Sequence, residues 1–363
     1  MSQTWTRVAG GVVTTVVATI VGLAAVGGFT QNPSTVDPSH PPNVTGANSF
    51  ALILAVAVIL GFVAYAAIEY AQTRGLDSIS RQFDTRTIVL MPLAIAFNII
   101  LGQAVGTVLK VPIYLDSIGT ILVGALAGPI PGALTGLLSN LIWSYVVPPP
   151  LNSPTAGAFA IVAAIIGLLA GVYGRIGWFR PRPNTPTRSL VIGGGLAIGL
   201  ILVMALLAYL GYTRIMGDTS LLPSGDNQLF LVLGWVAIGL VIATIVGLIV
   251  LLVARRDLTA AYVVVMGVMT GLIAAAVSAP ISANVYGGVT GAGTDFLVLA
   301  FRQAGSDIQA ATLGQGFISD PIDKVTTFFV VYIILGAMAV RTKARFPQGE
   351  YLMEHPADAG SNP

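Results

Sequence analysis

The stretch YLDSIGTILVGALAGPIPGALTGLLSNLIWSYVV, residues 114–147, decides how this chain crosses a membrane. Its 34 residues are too many for one comfortable span, because a helix crosses the hydrocarbon core in about 20 residues. The motif GPIPG, residues 128–132, lies near its middle. An internal proline breaks the ladder of helix hydrogen bonds, whereas a proline in the first turn is tolerated. The stretch therefore predicts a tight hairpin of two helices, of which the first is short.

Composition places the chain among helical membrane proteins. Hydrophobic residues make up 55% and charged residues 9%, with a mean hydropathy of +0.86, whereas soluble domains average about 25% charged residues. No cysteine is present, which excludes disulfides, thiolate metal sites and cysteine nucleophiles. The two histidines, His40 and His355, lie in polar segments near opposite ends. We therefore expect neither a histidine metal site nor a histidine base.

Eight further apolar runs have the length of membrane spans. They lie at residues 8–29, 49–70, 88–109, 155–174, 189–212, 230–254, 258–279 and 323–341. Together with the 114–147 hairpin they predict an all-α polytopic membrane protein of about ten transmembrane helices in contact with lipid. Nine of these ten spans carry no charge at mid-depth, and the last begins with Asp323 and Lys324.

The distribution of basic residues supports the hairpin. With a cytoplasmic N-terminus and a divided 114–147 stretch, 13 of the 17 lysines and arginines fall inside. A single span there would leave 7 inside and 10 outside, against the positive-inside rule. The four outer ones are Lys110, Arg214, Arg302 and Lys324. We expect a multi-pass protein of the cell membrane with both termini in the cytoplasm.

The two ends of the chain carry separate expectations. The first apolar run follows Arg7, as in a cleaved signal, but its 22 residues exceed the usual apolar region of about 7 to 15. A retained anchor is therefore favoured. The proline-rich segment 30–48 predicts an extended outer linker. Residues 346–363 are polar and predict a disordered cytoplasmic tail.

Small residues recur at four-residue spacing, which lets helix backbones approach closely in lipid. Packing within the protein is the favoured explanation, and docking against another membrane subunit is the alternative. The sets are Gly102 and Gly106, then Gly128, Gly132 and Gly136, then Gly271, Ala275 and Ala279.

Polar and aromatic residues gather in the outer halves of the predicted helices, on one side of the membrane. A binding pocket is one explanation. The alternatives are hydrogen bonds between helices for the amides and interfacial anchoring for the aromatic rings. The residues are Gln103, Asn140, Trp143, Tyr145, Thr270 and Ser278.

A polar connection of about 40 residues, 280–322, follows these helices, and connections of such length are usually functional. Its segment 284–294, NVYGGVTGAGT, is too rich in glycine for a helix. Residues 295–309 predict a short helix at the outer surface or a lid over a cavity. Asp323 precedes the last helix and Asp116 the short one. We expect both to act as helix caps, with a place in the site as the alternative.

Two blocks of sequence together cover about a quarter of the chain. The first block is VPIYLDSIGT (111–120), GPIPGALTG (128–136) and Asn140; the second is SAPIS (278–282), GGVTGAGTD (287–295) and DPIDK (320–324). These blocks resemble the substrate-binding (S) components of energy-coupling factor (ECF) transporters. The first is similar to their early helices and the second to the later half of one branch of the family.

The resemblance implies a six-helix core that captures a vitamin-like solute or a metal ion from outside. It also implies docking onto a transmembrane coupling subunit driven by two cytoplasmic ATPases. The core would comprise 88–109, 114–128, 129–147, 155–174, 258–279 and 323–341, with the other four helices as two extra pairs. The chain would then divide into 1–87 (a helix pair with its outer linker), 88–175 (first part of the core), 189–254 (an inserted pair), 258–345 (second part of the core) and the tail.

The leading hypothesis is a solute-capture subunit without catalytic activity. The chain carries no nucleotide-binding motif, and we expect no cofactor, no bound metal in the site and no nucleic-acid partner. One alternative is a membrane sensor or scaffold. Another is an ion-coupled secondary carrier, which is disfavoured because no carboxylate is expected inside the membrane. The expected binding residues, beneath a 282–321 lid, are Gln103, Asn140, Trp143, Asn284, Tyr286, Arg302 and Asp323.

Overall fold

The structure is a computed structural model that describes residues 2–28, 44–103, 114–183, 185–217, 242–243, 246–254, 256–292 and 294–354. Throughout these residues the regular structure is helical. The α-helices are α1 (Ser2–Ala25), α2 (Val44–Thr73), α3 (Asp77–Ser80), α4 (Thr85–Leu101), α5 (Ile118–Ala127), α6 (Pro129–Tyr145), α7 (Ala160–Arg175), α8 (Thr187–Gly217), α9 (Thr259–Tyr286), α10 (Asp295–Gln303), α11 (Ile308–Ala337) and α12 (Val340–Lys343). Short 3-10 helices lie at Ala156–Phe159 and Gly349–Leu352.

Four helical stretches are long and apolar enough to cross a membrane. They are Thr6–Ala25, Asn48–Thr73, Ala156–Arg175 and Thr259–Tyr286. Their outward faces carry many exposed valine, leucine and isoleucine side chains, among them Val13, Val56 and Leu272. These features are those of a multi-pass helical membrane protein. The expected span 230–254 lies outside the described residues except for 242–243 and 246–254.

The predicted hairpin is confirmed. α5 has 10 residues and α6 has 17, and they meet at Gly128, whose φ is +130°. Glycine adopts this φ without the steric penalty of a Cβ, and Pro129 occupies the first position of α6, where its missing N–H costs nothing. At 1.5 Å per residue α5 is about 15 Å long, half the thickness of a hydrocarbon core.

Six helices, α4, α5, α6, α7, α9 and α11, pack on one another. Among them α5, α7, α9 and α11, together with α2, share the main hydrophobic core. Ile121, Ile166, Met266 and Phe328 are buried at its centre. These helices overlap the six that were expected to form the core, although their bounds differ. α1 and α2 pack on each other, and α8 packs on α9.

Glycines bring several of these helices into backbone contact. A Cβ on Gly132 would overlap the backbone of Gly167, and one on Gly271 would overlap the backbone of Pro321. Two of the small-residue sets therefore serve packing within the protein, as favoured from the sequence. The remaining set consists of Gly102 and Gly106. Gly102 packs against the Trp143 ring, whereas Gly106 lies outside the described residues.

The prediction of a long outer connection at 280–322 is wrong. α9 continues to Tyr286, α11 begins at Ile308, and the short helix α10 lies between them. α9 ends at Gly287, which has a left-handed φ of +63°, and the Asp307 side chain accepts the Ala310 N–H to cap α11. Pro280 and Pro321 lie inside α9 and α11, because close neighbouring helices allow membrane helices to accommodate proline. The expected short helix within 295–309 is confirmed.

The tail expected to be disordered from residue 346 is folded as far as residue 354. Gln348 and Leu352 are buried, and the Gln348 N–H donates to the Leu126 carbonyl at 2.9 Å. Leu352 belongs to the same hydrophobic core as the helix bundle. This burial of apolar surface, which the polar composition conceals, holds the segment against the end of α5. Residues 355–363 lie outside the described part.

One end of the bundle gathers loops that carry basic residues. The Arg86 guanidinium donates to the Arg345 carbonyl, and the Thr185 N–H donates to the Arg256 carbonyl. The turn at Gly128 lies at the same end, beside the side chain of Gln82. We call this end the basic face. The positive-inside rule predicts that it is cytoplasmic.

Labelling of single cysteines tests this orientation in a chain that has no cysteine of its own. Arg256 and Ala304 are both exposed and lie at opposite ends of the bundle. We expect Ala304→Cys to react with an impermeant maleimide in intact cells, and Arg256→Cys to react only after permeabilisation. The reverse pattern would contradict the predicted orientation.

Candidate functional site

A cavity of about 320 Å³ lies among α5, α6, α7, α9 and α11 at the end opposite the basic face. One wall is apolar and includes Trp143, Phe159 and Ile166. The other wall is polar. Its polar side chains include Asp116, Ser117, Asn140, Ser278, Gln315, Asp320 and Lys324.

The short helix α5 places polar groups deep in the bundle. Since α5 is only about 15 Å long, the residues before it, Asp116 and Ser117, lie well inside the bundle rather than at its outer end. α11 runs unbroken past them and carries Asp320 and Lys324 one helical turn apart. Residues four apart lie on the same face of a helix, so both side chains reach the cavity.

A buried ion pair joins α11 to the start of α5. The Lys324 ammonium contacts one Asp323 carboxylate oxygen and donates to Ser117 Oγ at 3.0 Å. The other Asp323 oxygen accepts the backbone N–H groups of Tyr114 and Leu115, each at 3.0 Å. Asp323 is 0% exposed. Partners on both oxygens are what a buried charge requires, so we assign this pair a structural role.

The predictions that Asp323 and Asp116 cap the helices that follow them are both wrong. Asp323 lies in the middle of α11 rather than at its start, and the backbone that it caps is the one preceding α5. α5 begins after Ser117 without a side-chain cap, and Asp116 instead lies 3.9 Å from the Lys324 ammonium. The prediction for Asp323 assumed a helix start after Pro321, whereas Pro321 lies inside α11.

Among the buried carboxylates at the cavity, Asp320 has the fewest partners for its negative charge. It is 8% exposed and receives hydrogen bonds from Ser319 Oγ at 3.1 Å and Ser278 Oγ at 3.4 Å. None of the described residues forms an ion pair with it. Asp320 is therefore a charge-bearing group available to a ligand.

Asn140 is buried yet has no hydrogen-bond partner among the residues that the structure covers. It is 6% exposed and lines the cavity. Asn98, another buried asparagine, differs because its amide is paired with protein groups. Its Nδ2 donates to Thr120 Oγ1 and Ser139 Oγ, and its Oδ1 accepts the Gly119 N–H. The amide of Asn140 is not among the fully buried side-chain atoms that lack a partner, so it is open to the cavity, where a bound molecule can supply its hydrogen bonds.

Three of the expected binding residues lie at or directly behind the cavity wall. Asn140 and Trp143 line it, and the Trp143 indole N–H is held by the Leu151 carbonyl at 3.0 Å. Tyr286 lies behind Phe159, with the two ring centroids 5.7 Å apart, and its hydroxyl donates to the Thr155 carbonyl. Tyr286 therefore supports the wall without contacting the cavity.

The remaining expected residues do not line the cavity. Asn284 is half-buried, donates to the Pro280 carbonyl and accepts from Gln309, because α9 extends further than expected and includes this residue. Arg302 donates to the Ser306 carbonyl. Asp323 is enclosed in its ion pair. Gln103 has a buried Oε1 without a partner in the described structure, but it is not part of the cavity wall.

A glycine-containing turn at 290–292 covers one side of the cavity. Asp295 fixes it by accepting the N–H groups of Thr290 and Gly291 at 2.9 and 2.7 Å and the Thr290 hydroxyl at 2.9 Å. Burial raises the pKa of the Asp295 carboxyl to about 6, and these hydrogen bonds oppose the rise. The expected 282–321 lid is thus reduced to this turn.

The sequence reasoning missed several wall residues, among them Asp320, Lys324, Gln315 and Ser117. A signal for two of them was present: Asp320 and Lys324 have the four-residue spacing of one helical face.

Comparisons with family models, curated proteins and solved structures gave no match to this chain.

The contrast between Asn98 and Asn140 predicts opposite effects on stability. Asn98→Ala leaves buried groups without partners, at about 1 to 3 kcal/mol each, so we expect the free energy of unfolding to fall by at least about 2 kcal/mol. Asn140→Ala removes no protein hydrogen bond, and we expect little change in the ligand-free protein. Thermal unfolding in detergent measures both, and an equal loss in the two variants would contradict the assignment.

Proposed function

We propose that this protein is the solute-capture subunit of an importer of the ECF type. It takes a vitamin-like small molecule from the outer side of the cell membrane and has no catalytic activity of its own. The observation that carries the proposal is the cavity beside the unpartnered amide of Asn140. An amide that faces a cavity without a protein partner is suited to a ligand that supplies its hydrogen bonds.

The size and lining of the cavity support a small organic ligand. Its volume of about 320 Å³ falls within the range of small-molecule sites, about 300 to 1,000 Å³. Trp143 and Phe159 offer aromatic surface to a ring, and a few polar groups on the facing wall fix orientation. Such a division between apolar walls and a few polar groups is typical of ligand pockets.

The position of the cavity supports capture from outside. It lies at the end opposite the basic face, which the positive-inside rule assigns to the cytoplasm. The energy for import would come from a transmembrane coupling subunit and two cytoplasmic ATPases, as the sequence resemblance implies. Gly132 and Gly271 are occupied in packing within the protein, so the coupling subunit would dock on other surfaces.

An ion-coupled carrier is the second candidate. Asp320 and Asp323 lie mid-way along α11 and are buried, whereas the last helix was expected to begin at residue 323. Buried acidic residues in membrane helices often mark ion or proton pathways. Asp323 is committed to its ion pair, so Asp320 is the group on which this second candidate rests.

Ligand binding by two asparagine variants tests the proposed site. The solute that co-purifies with the protein can be identified by mass spectrometry and then titrated back. Loss of a buried hydrogen-bond partner costs about 1 to 3 kcal/mol, so Asn140→Ala should weaken binding by roughly 5- to 150-fold. Asn284→Ala, at a half-buried residue outside the wall, is the matched control and should bind as the unchanged protein does. Equal affinities in all three would remove Asn140 from the site.

Transport in liposomes separates the two candidates. We expect the isolated protein to bind its solute without ATP and to show no concentrative uptake under a proton or sodium gradient. Uptake should appear only when coupling and ATPase subunits are supplied. Gradient-driven accumulation by the isolated protein would favour the carrier over the capture subunit.

A further inference from the structure

The charges around the cavity do not balance. Three carboxylates, those of Asp116, Asp320 and Asp323, lie near one ammonium, that of Lys324. If all four groups are ionised, the sum is −3 + 1, or −2. Unpaired charge in a water-poor interior is costly by several kcal/mol per ion, so such a carboxylate either takes up a proton or gains from a bound cation. A cationic ligand would balance the charges of this site.

Lys324 is not free to serve a ligand anion. Its ammonium is 5% exposed and is held by Asp323 and Ser117, while Asp116 lies 3.9 Å away on the cavity side. A carboxylate or phosphate on the solute would also face Asp116 and Asp320, both on the cavity wall. The wall therefore disfavours an anion.

The remaining wall groups suit an organic cation. Asp320 receives hydrogen bonds from Ser278 and Ser319 and lines the cavity, so its carboxylate can accept a further hydrogen bond from a ligand nitrogen. Trp143 and Phe159 offer ring surface, on which a cationic nitrogen is stabilised. Within the described residues no group of three or more acidic or histidine side chains could hold a metal ion, which favours an organic cation over a bare metal.

We infer that the cavity recognises its solute through a positively charged nitrogen, an ammonium or a cationic ring nitrogen, held by Asp320 and Asp116. The amide of Asn140 hydrogen-bonds a second polar atom of the same molecule, and Trp143 packs on its apolar part. This inference rests on the proposed function, since it takes the cavity as the solute site.

Three probes of similar size and different charge test it: benzylammonium, benzyl alcohol and benzoate. Their dissociation constants are measured by calorimetry on the full chain in lipid nanodiscs after the co-purified solute has been removed. We expect benzylammonium to bind about 10- to 150-fold more tightly than benzyl alcohol, the range for hydrogen bonds to charged groups, and benzoate to bind most weakly. Equal affinities for all three, a preference for benzoate, or no binding of any probe would overturn the inference.

Charge-neutralising variants locate the effect. Asp320→Asn keeps the shape of the side chain and an acceptor oxygen for one of the two serines, and it should reduce benzylammonium binding to the level of benzyl alcohol. Asp116→Asn provides a second variant should the first fail to fold, and it should lower the preference in the same direction. The control is Asp307→Asn, an exposed N-terminal cap of α11 away from the cavity, which should leave the preference unchanged. A preference that survives both cavity variants would overturn the inference.

The failure of this inference is distinguishable from failure of the capture role. If the co-purified solute is neutral or anionic and its binding depends on Asn140, the cation inference is wrong and the capture role stands. If the isolated protein accumulates a cationic solute under an ion gradient, the capture role is wrong and the cation preference stands.

Discussion

Asp323 and Lys324, adjacent in the middle of α11, hold the chain at the start of α5, and the shape of the site depends on these contacts. The backbone before α5 lies deep in the bundle, where N–H groups without partners would cost several kcal/mol each in lipid. Asp323 accepts two of them, from Tyr114 and Leu115. Lys324 neutralises that carboxylate and also holds Ser117. One ion pair thus stabilises a helix end far from water.

The half-length of α5 is what leaves room for a cavity. A full-length helix would continue towards the outer end and fill the space beside Trp143 and Asn140. Instead, the chain enters this level as a non-helical turn, with Leu115 at φ +49°, that Asp323 holds. Because Lys324 is committed to this task, the neighbouring Asp320 keeps no cation within the described structure. The interaction that stabilises the fold therefore also sets the charge of the proposed binding site.

The hairpin and the helical class could be predicted from the sequence because they depend on local rules: span length, proline position and the distribution of charge. The second half of the fold could not be predicted from the sequence. Pro280 and Pro321 have the local signature of helix ends, yet they lie inside helices that neighbouring helices support. That single error turned Asn284 into a loop residue and Asp323 into a cap. Asn140 and Trp143 were predictable, as polar and aromatic groups on one helix within the outer half of the bundle. The burial of Leu352 depends on tertiary packing that composition does not reveal.

The claim on which the rest depends is that the space beside Asn140 holds a solute. A crystal structure of the protein purified without removal of its co-purified molecule tests this most directly. We predict density for a small molecule within hydrogen-bond distance of the Asn140 amide and the Asp320 carboxylate. A solute bound elsewhere, with the Asn140 amide paired to protein side chains across a closed cavity, would contradict it.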